Sequence, residues 1–315
     1  MSKENYMEDS TKKINAAKSR YKRNQLIFVW GGLAIPIIAW IVFYWYVNFS
    51  SFVQAFQERT GEWSMGNFKT VFDSIVNPGN DRGSLAVAFK NTFKYFALEI
   101  IVKYPIQIIV CYFLYKQIKG YKTFRYVLYL PAIISGVALT GLFKEFIATS
   151  GPLDALGMTI PKRGFLGSPE TATNTIMVYT VWVCVHGHML LICGAMNRIP
   201  VDVLEAARLD GIGPARELVS LILPLIWPTL STLLILTCTG FLNSSGPILL
   251  LAPDTYTLST TTINYWIFEK VYANGTHMGG QYNLVSAAGM MLTVVTVPII
   301  LALRKVLDMI PTVEY

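Results

Sequence analysis

RIPVDVLEAARLDGIGPARELVSLILPLIWP, residues Arg198–Pro228, is the stretch around which the chain is organised. Pro200 suits a first helical position, where its missing N–H is not needed. Asp202 follows in that first turn and complements the helix dipole. Ala206 and Ala207 are strong helix formers, and Gly211 supplies a C-terminal stop. Gly213 and Pro214 restart the chain, Glu217 sits in the new first turn, and the second helix runs toward Pro224. Two short helices around a glycine break make a compact protruding knob. Val203, Leu204 and Ala207 form a small apolar strip on it, and an exposed apolar strip rimmed by charge is a docking surface.

The residues on either side of this knob are far more apolar than a soluble domain allows. Of the 315 residues, 53% are hydrophobic and 14% charged, and the mean hydropathy is +0.45. Soluble domains run near 45–50% apolar and about 25% charged. The composition excludes a soluble enzyme, a disordered chain and a disulfide scaffold, and implies a polytopic membrane protein. Cys111, Cys184, Cys193 and Cys238 all lie in apolar stretches without CxxC spacing, so they read as buried thiols.

No Asp, Glu, Lys or Arg occurs between Asn24 and Gln57. That run holds a first span, roughly 26–47, too long for a cleaved signal sequence. Further spans are expected near 86–115, 126–146, 171–197, 228–251 and 284–303. Lys and Arg are distributed unevenly among the connections. The N-terminal tail has seven, loop 116–125 four, loop 198–227 three and the C-terminal tail two. The intervening loops 48–85, 147–170 and 252–283 have three, two and one. The positive-inside rule therefore expects six spans, both termini in the cytoplasm and the knob on the cytoplasmic side. The net charge of +7 is explained by this topology and needs no nucleic acid. The expected organisation is a basic cytoplasmic tail over 1–25, a six-helix domain over 26–307 containing loop 198–227, and a cytoplasmic tail over 308–315. The basic tail suits a solvated or anionic-lipid-bound segment.

EAARLDGIG followed by LILPLIWP resembles the EAA loop of ABC importer permeases; Glu205, Ala206, Ala207, Asp210, Gly211, Leu223 and Pro224 fit its pattern. The preceding Asn197–Pro200 matches the run-in of the carbohydrate (maltose and glycerol-phosphate type) subgroup. Asn91-Thr92, Arg125–Phe143 and Leu258–Tyr272 resemble further family stretches in the same order, so the likeness runs from about residue 85 to the C-terminus. One departure is the family's Gly-Gly-Pro: Ala252-Pro253-Asp254 stands there, and Ser245-Gly246-Pro247 lies earlier.

The resemblance implies an all-α membrane protein with the six-helix type I ABC importer permease fold, multi-pass in a bacterial cytoplasmic membrane. It implies a sugar or oligosaccharide as cargo. Glu205, Ala206, Ala207, Asp210, Gly211 and Pro224 would couple the chain to an ATPase. The implied partners are a second homologous permease, two ATPase subunits, an extracytoplasmic solute-binding protein and the lipid bilayer. No cofactor is expected in this chain, and Mg-ATP belongs to the ATPase. In related maltose-type permeases the fourth and fifth spans contact the substrate, and only one of two permeases does so. Alignment on the loop brings Thr180, Cys184, Gly187 and Asn243 to such positions. Cys184 and Gly187 would leave room for a sugar, and Tyr179 and Trp182 would stack on it. Pro247 frees the carbonyl of Asn243, so Asn243, Ser244 and Ser245 would offer polar groups at membrane depth; ordinary packing of small residues is the alternative.

Glu99 and Lys103 are four apart with opposite charge and read as an ion pair facing other helices. His186 and His188 point to different helix sides and make a poor chelate. The chain has no GxxxxGK[ST], HExxH or GxSxG, so no catalytic or metal residue is expected and ATP must be bound elsewhere. A membrane-embedded enzyme needs clustered acid–base or metal residues, and a proton-coupled transporter needs more ionisable residues in its spans. A non-sugar cargo is the alternative within the importer reading.

Overall fold

A computed structural model describes residues 3–58, 60–76, 85–240, 247–251, 257–273 and 281–310. Among these residues the structure is helical, without strands beyond an isolated bridge between Gln57 and Trp63. The longer elements are α1 (Lys18–Ala55), α2 (Gly66–Val76), α3 (Leu85–Tyr115), α4 (Tyr121–Ile133) and α5 (Gly136–Phe146). They continue with α6 (Pro169–Met196), α7 (Val201–Leu209), α8 (Pro214–Leu225), α9 (Trp227–Thr239), α10 (Ile263–Phe268) and α11 (Tyr282–Asp308).

Among the described residues four helices, α1, α3, α6 and α11, are long and apolar enough to cross a membrane; the number reaches six if the bent pairs α4–α5 and α8–α9 each count as one span. The most apolar stretch of α1 buries nothing against the rest of the chain; Phe28 and Ile35 are 83% and 77% exposed. Such a surface is stable where lipid, not water, covers it.

Two expected spans differ from a single helix. The third, over 126–146, turns through 107° between α4 and α5. Pro131 offers no N–H to the last turn of α4, and Ile134 is extended. Ser135 then starts a new helix, its hydroxyl accepting from Ala138 N at 3.2 Å, because serine competes for backbone partners and favours caps. The fifth, over 228–251, is helical to Thr239 and again over Ile248–Leu251. Asn243, Ser244 and Ser245 lie outside the described residues.

The helices pack around three apolar clusters. Cys111, Met189, Ile192, Ile222 and Leu230 join α3, α6, α8 and α9. Ala55, Val71, Ala88, Ile263, Ala287 and Ala288 join α1, α2, α3, α10 and α11. The third cluster brings Leu139, Phe143, Ile176 and Tyr179 together with Ile248 and Leu251. Alanine at the second junction lets backbones approach closely, the usual basis of helix contact in lipid.

A polar knot sits among these clusters. The Asn91 amide, 4% exposed, donates to the carbonyls of Ser259 and Thr261 at 2.8 and 3.0 Å. Thr92 donates to Ala88 O and accepts from Ile263 N at 2.9 Å, and the Thr173 hydroxyl reaches Ser259 O at 3.3 Å. Asn91-Thr92 and the threonine-rich stretch are two separate motifs in the sequence, and in the fold they are partners. The irregular backbone before α10 is held where water is scarce because side chains of α3 and α6 satisfy it.

Candidate functional site

The site is the knob between α6 and α9. Helix α7 begins one residue later than expected: Pro200 is the extended N-cap (φ −58°, ψ 138°) and Val201 the first helical residue. Its end is a complete Schellman motif. Ile212 N donates to Ala207 O at 3.2 Å and Gly211 N to Arg208 O at 3.1 Å, with Gly211 at φ +70°. This is the left-handed region that glycine enters without cost. A Cβ built at Gly211 meets nothing within 4 Å, so the constraint is backbone conformation alone. Gly213 then caps α8, with Pro214 at its first turn.

Helix α8 contains a π turn over Leu218–Ile222 just before the half-buried Pro224. Pro224 has no N–H for the preceding turn, and a wider turn absorbs that mismatch. The chain then bends by 77° into α9, with Pro228 in the first turn after the bend.

The structure reverses the expected faces of α7. Ala207 is buried, and Val203 and Leu204 pack against the core of α3, α6, α8 and α9. The strip read as a docking surface is therefore the seam that holds the knob to the body. The outward face is Val201, Asp202, Glu205, Ala206 and Leu209, at the i, i+4 spacing of one helix side. Asp210 and Gly211 continue it as exposed residues. Leu209 is 89% exposed; its sequence signal was a leucine beside the helix stop on the side opposite Val203 and Ala207.

The knob is also tied to α3. The Tyr112 hydroxyl donates to Pro214 O at 3.1 Å. Lys116 Nζ donates to both carboxylate oxygens of Glu217 at 2.8 Å, and Glu217 is only 5% exposed. Sequence reasoning placed Glu217 in the first turn of the second helix and counted Lys116 among the topogenic charges. Their pairing spans about a hundred residues and has no local signature.

The residues expected along a substrate pathway fall into two groups. Tyr179 and Trp182 surround Phe143 with ring centroids 5.1 and 6.1 Å from it. Tyr179 is buried while Trp182 is about half exposed, lining a cleft of ≈ 450 Å³ with Phe143, Glu145, Pro152 and Val178. The Thr180 hydroxyl is spent on Met177 O at 2.8 Å. Cys184 and Gly187 belong elsewhere, where α6 narrows to a 3₁₀ turn over Cys184–His186. The buried Gln107 donates to Cys184 O at 2.7 Å and faces His188 Nδ1 at 3.1 Å. A Cβ at Gly187 would lie 3.3 Å from the Gln107 amide nitrogen. The space beside Gly187 is thus occupied by Gln107, which the sequence reading passed over. Glu99 and Lys103 form an ion pair. Among the described residues no three His, Cys, Asp or Glu side chains converge as a metal site.

No family model matches the chain. It is 23% identical over 270 residues to the multiple sugar-binding transport system permease protein MsmF of Streptococcus mutans, covering 84% of this chain and 90% of MsmF. It is 29% identical over 204 residues to the maltose/maltodextrin transport system permease protein MalF of Klebsiella aerogenes, covering 62% of this chain. There it spans 38% of MalF's length. Among solved structures it superposes on a chain of a bacterial ABC transporter involved in the import of the acidic polysaccharide alginate. The TM-score is 0.78 at 21% identity, covering 93% of this chain and all of the other. At that identity the likeness shows the fold.

Proposed function

We infer that this chain is the permease subunit of an ABC importer for a sugar or oligosaccharide, working in a bacterial cytoplasmic membrane. The observation that carries the reading is the knob. It is a short, rigid helix–turn–helix with an outward apolar and acidic face, continuous through α8 with an apolar helix. Relatives named as sugar transport permeases support the cargo class. ATP hydrolysis belongs to a separate ATPase, which binds the Mg-ATP.

In this reading α4 and α5 together form the third span and α9 lies in the fifth, giving six spans with both termini cytoplasmic. Residues 1–25 are a basic tail, 26–307 the permease domain and 308–315 the second tail. The chain pairs with a second permease, two ATPases and an extracytoplasmic binding protein. Glu205, Ala206, Asp210 and Gly211 face the ATPase, Ala207 seats that helix on the body of the chain, and Pro224 sets the turn into α9. Closure of the ATPase dimer pushes the knob, and packed helices move as units because cores do not deform continuously. The cavity between the permeases then turns toward the binding protein. Trp182, backed by Tyr179, is the aromatic surface on which a sugar ring stacks, and Asn243 with Ser244 supplies polar contacts. Thr180, Cys184 and Gly187 lie along the same helix as Trp182, with their polar groups and space taken up inside the chain.

Three measurements test this. Cysteines placed at Asn15 and Thr312 should label only from the cytoplasmic side, and one at Lys162 only from outside; outside labelling of either terminus overturns the topology. Asn243→Leu should lower transport of the cargo about tenfold, the loss of roughly one hydrogen bond at a dry site, while assembly is unchanged. Unchanged transport removes Asn243 from the pathway. Hydrolysis of ATP by the purified chain alone refutes the permease reading altogether.

A further inference from the structure

Two residues one turn apart at the inner end of α3 hold two residues in the first turn of α8. Tyr112 bonds the Pro214 carbonyl and Lys116 bonds Glu217 through both carboxylate oxygens. Lys116 also lies 5.9 Å from the Tyr112 ring centroid, so the ammonium, ring and carboxylate form one packed unit. The side chain of Glu217 is 6% exposed and that of Lys116 23%. Water cannot replace the lysine there, and an unpaired buried carboxylate is strongly unfavourable. Helix α7, in contrast, rests on the body through Val203, Leu204 and Ala207. Those contacts are apolar and non-directional, and they permit sliding. An ammonium donating to both oxygens of a nearly buried carboxylate fixes their separation closely.

We propose that Lys116 and Glu217, supported by Tyr112, are the link through which displacement of the knob drives the second span. They are positioning residues for coupling, not for docking. The inference rests on the reading of the knob as the ATPase-coupling element. Its geometry separates the two roles: Glu217 is buried, while Val201, Glu205 and Leu209 face outward. Without the pair, α8 stays joined to α9 and packed near α3 through Ile222, but its first turn is no longer fixed to the end of α3. A push on the knob then moves the fourth and fifth spans without the second, and the cavity fails to turn as a unit.

The test uses the assembled complex of both permeases, the ATPases and the loaded binding protein in lipid nanodiscs. Glu217→Gln and Lys116→Met should each retain the ATPases through purification, while stimulation of hydrolysis by the loaded binding protein falls about tenfold or more. Lys116→Arg, which keeps the positive charge and can donate to both oxygens, should keep more of the stimulation than Lys116→Met. The exchange Lys116→Glu with Glu217→Lys should recover most of the stimulation that either single change removes. Normal stimulation in both single variants overturns the proposal. So does loss of the ATPases from them, since the pair would then serve docking. If Glu217→Gln fails to accumulate, Tyr112→Phe decides by the same two readings: ATPases kept with reduced stimulation supports the link, and unchanged stimulation overturns it. Full retention of the ATPases by both Leu209→Asp and Gly211→Val refutes the reading of the knob itself, so the two failures are distinguishable.

Discussion

A chain carrying Leu209→Asp is expected to enter the membrane, pair with the second permease and come away from its ATPase. Leu209 is 89% exposed at the end of α7, so the change removes no contact within the chain. Burying a leucine side chain contributes about 1.5–3 kcal/mol, and a carboxylate in the same pocket adds a desolvation cost. The combined weakening is at least about tenfold and extends beyond a hundredfold. Glu205→Lys should act in the same direction, since reversing a charge at an interface commonly costs several kcal/mol. Gly211 separates backbone from side-chain effects. Its φ of +70° disfavours valine by about 1–3 kcal/mol, whereas asparagine enters the left-handed region readily. With nothing within 4 Å of an added Cβ, Gly211→Asn should dock almost normally and Gly211→Val poorly. Co-purification of the ATPases with a tagged chain measures all four variants. Full retention by both Leu209→Asp and Gly211→Val would mean that the outward face of α7 is not the docking surface.

The second large effect is on stability. Asn91→Leu removes both donors that hold the carbonyls of Ser259 and Thr261. A buried acceptor that loses a donor costs about 1–3 kcal/mol, and Ser259 O keeps the Thr173 hydroxyl, so the variant should lose about 2–4 kcal/mol and melt roughly 5–10 °C lower. Thr173→Val removes a single 3.3 Å contact to Ser259 and should cost about 1 kcal/mol or less. Thiol accessibility during heating reads both, because Cys111, Cys184 and Cys238 are buried in the folded chain. Equal melting of the two variants would show that Asn91 is not the principal fastening of that segment.

The knob was legible because its signals are local. Gly211 next to a run of helix formers marks a stop, and the Schellman bonds it implies join residues three and five apart. The apolar helices were legible for a similar reason: hydropathy is summed over about twenty neighbouring residues. Even so, the reading of Val203, Leu204 and Ala207 as an exposed strip was inverted. An apolar stripe looks the same whether a partner or the chain's own core covers it, and only the position of α3 and α8 distinguishes them.

The sequence by itself determined an all-helical, apolar chain interrupted by a glycine-stopped helix pair, since composition, periodicity and capping act within a few turns of backbone. Tertiary structure decided which face of α7 is free, that Asn91 holds a segment about 170 residues away, that Gln107 fills the space beside Gly187, and that Lys116 and Glu217 are partners. These are pairings across long loops. The chain-closure cost of bringing such residues together varies little with their separation. Many distant partners are therefore almost equally available to a given polar side chain, and the packing of the helices selects among them.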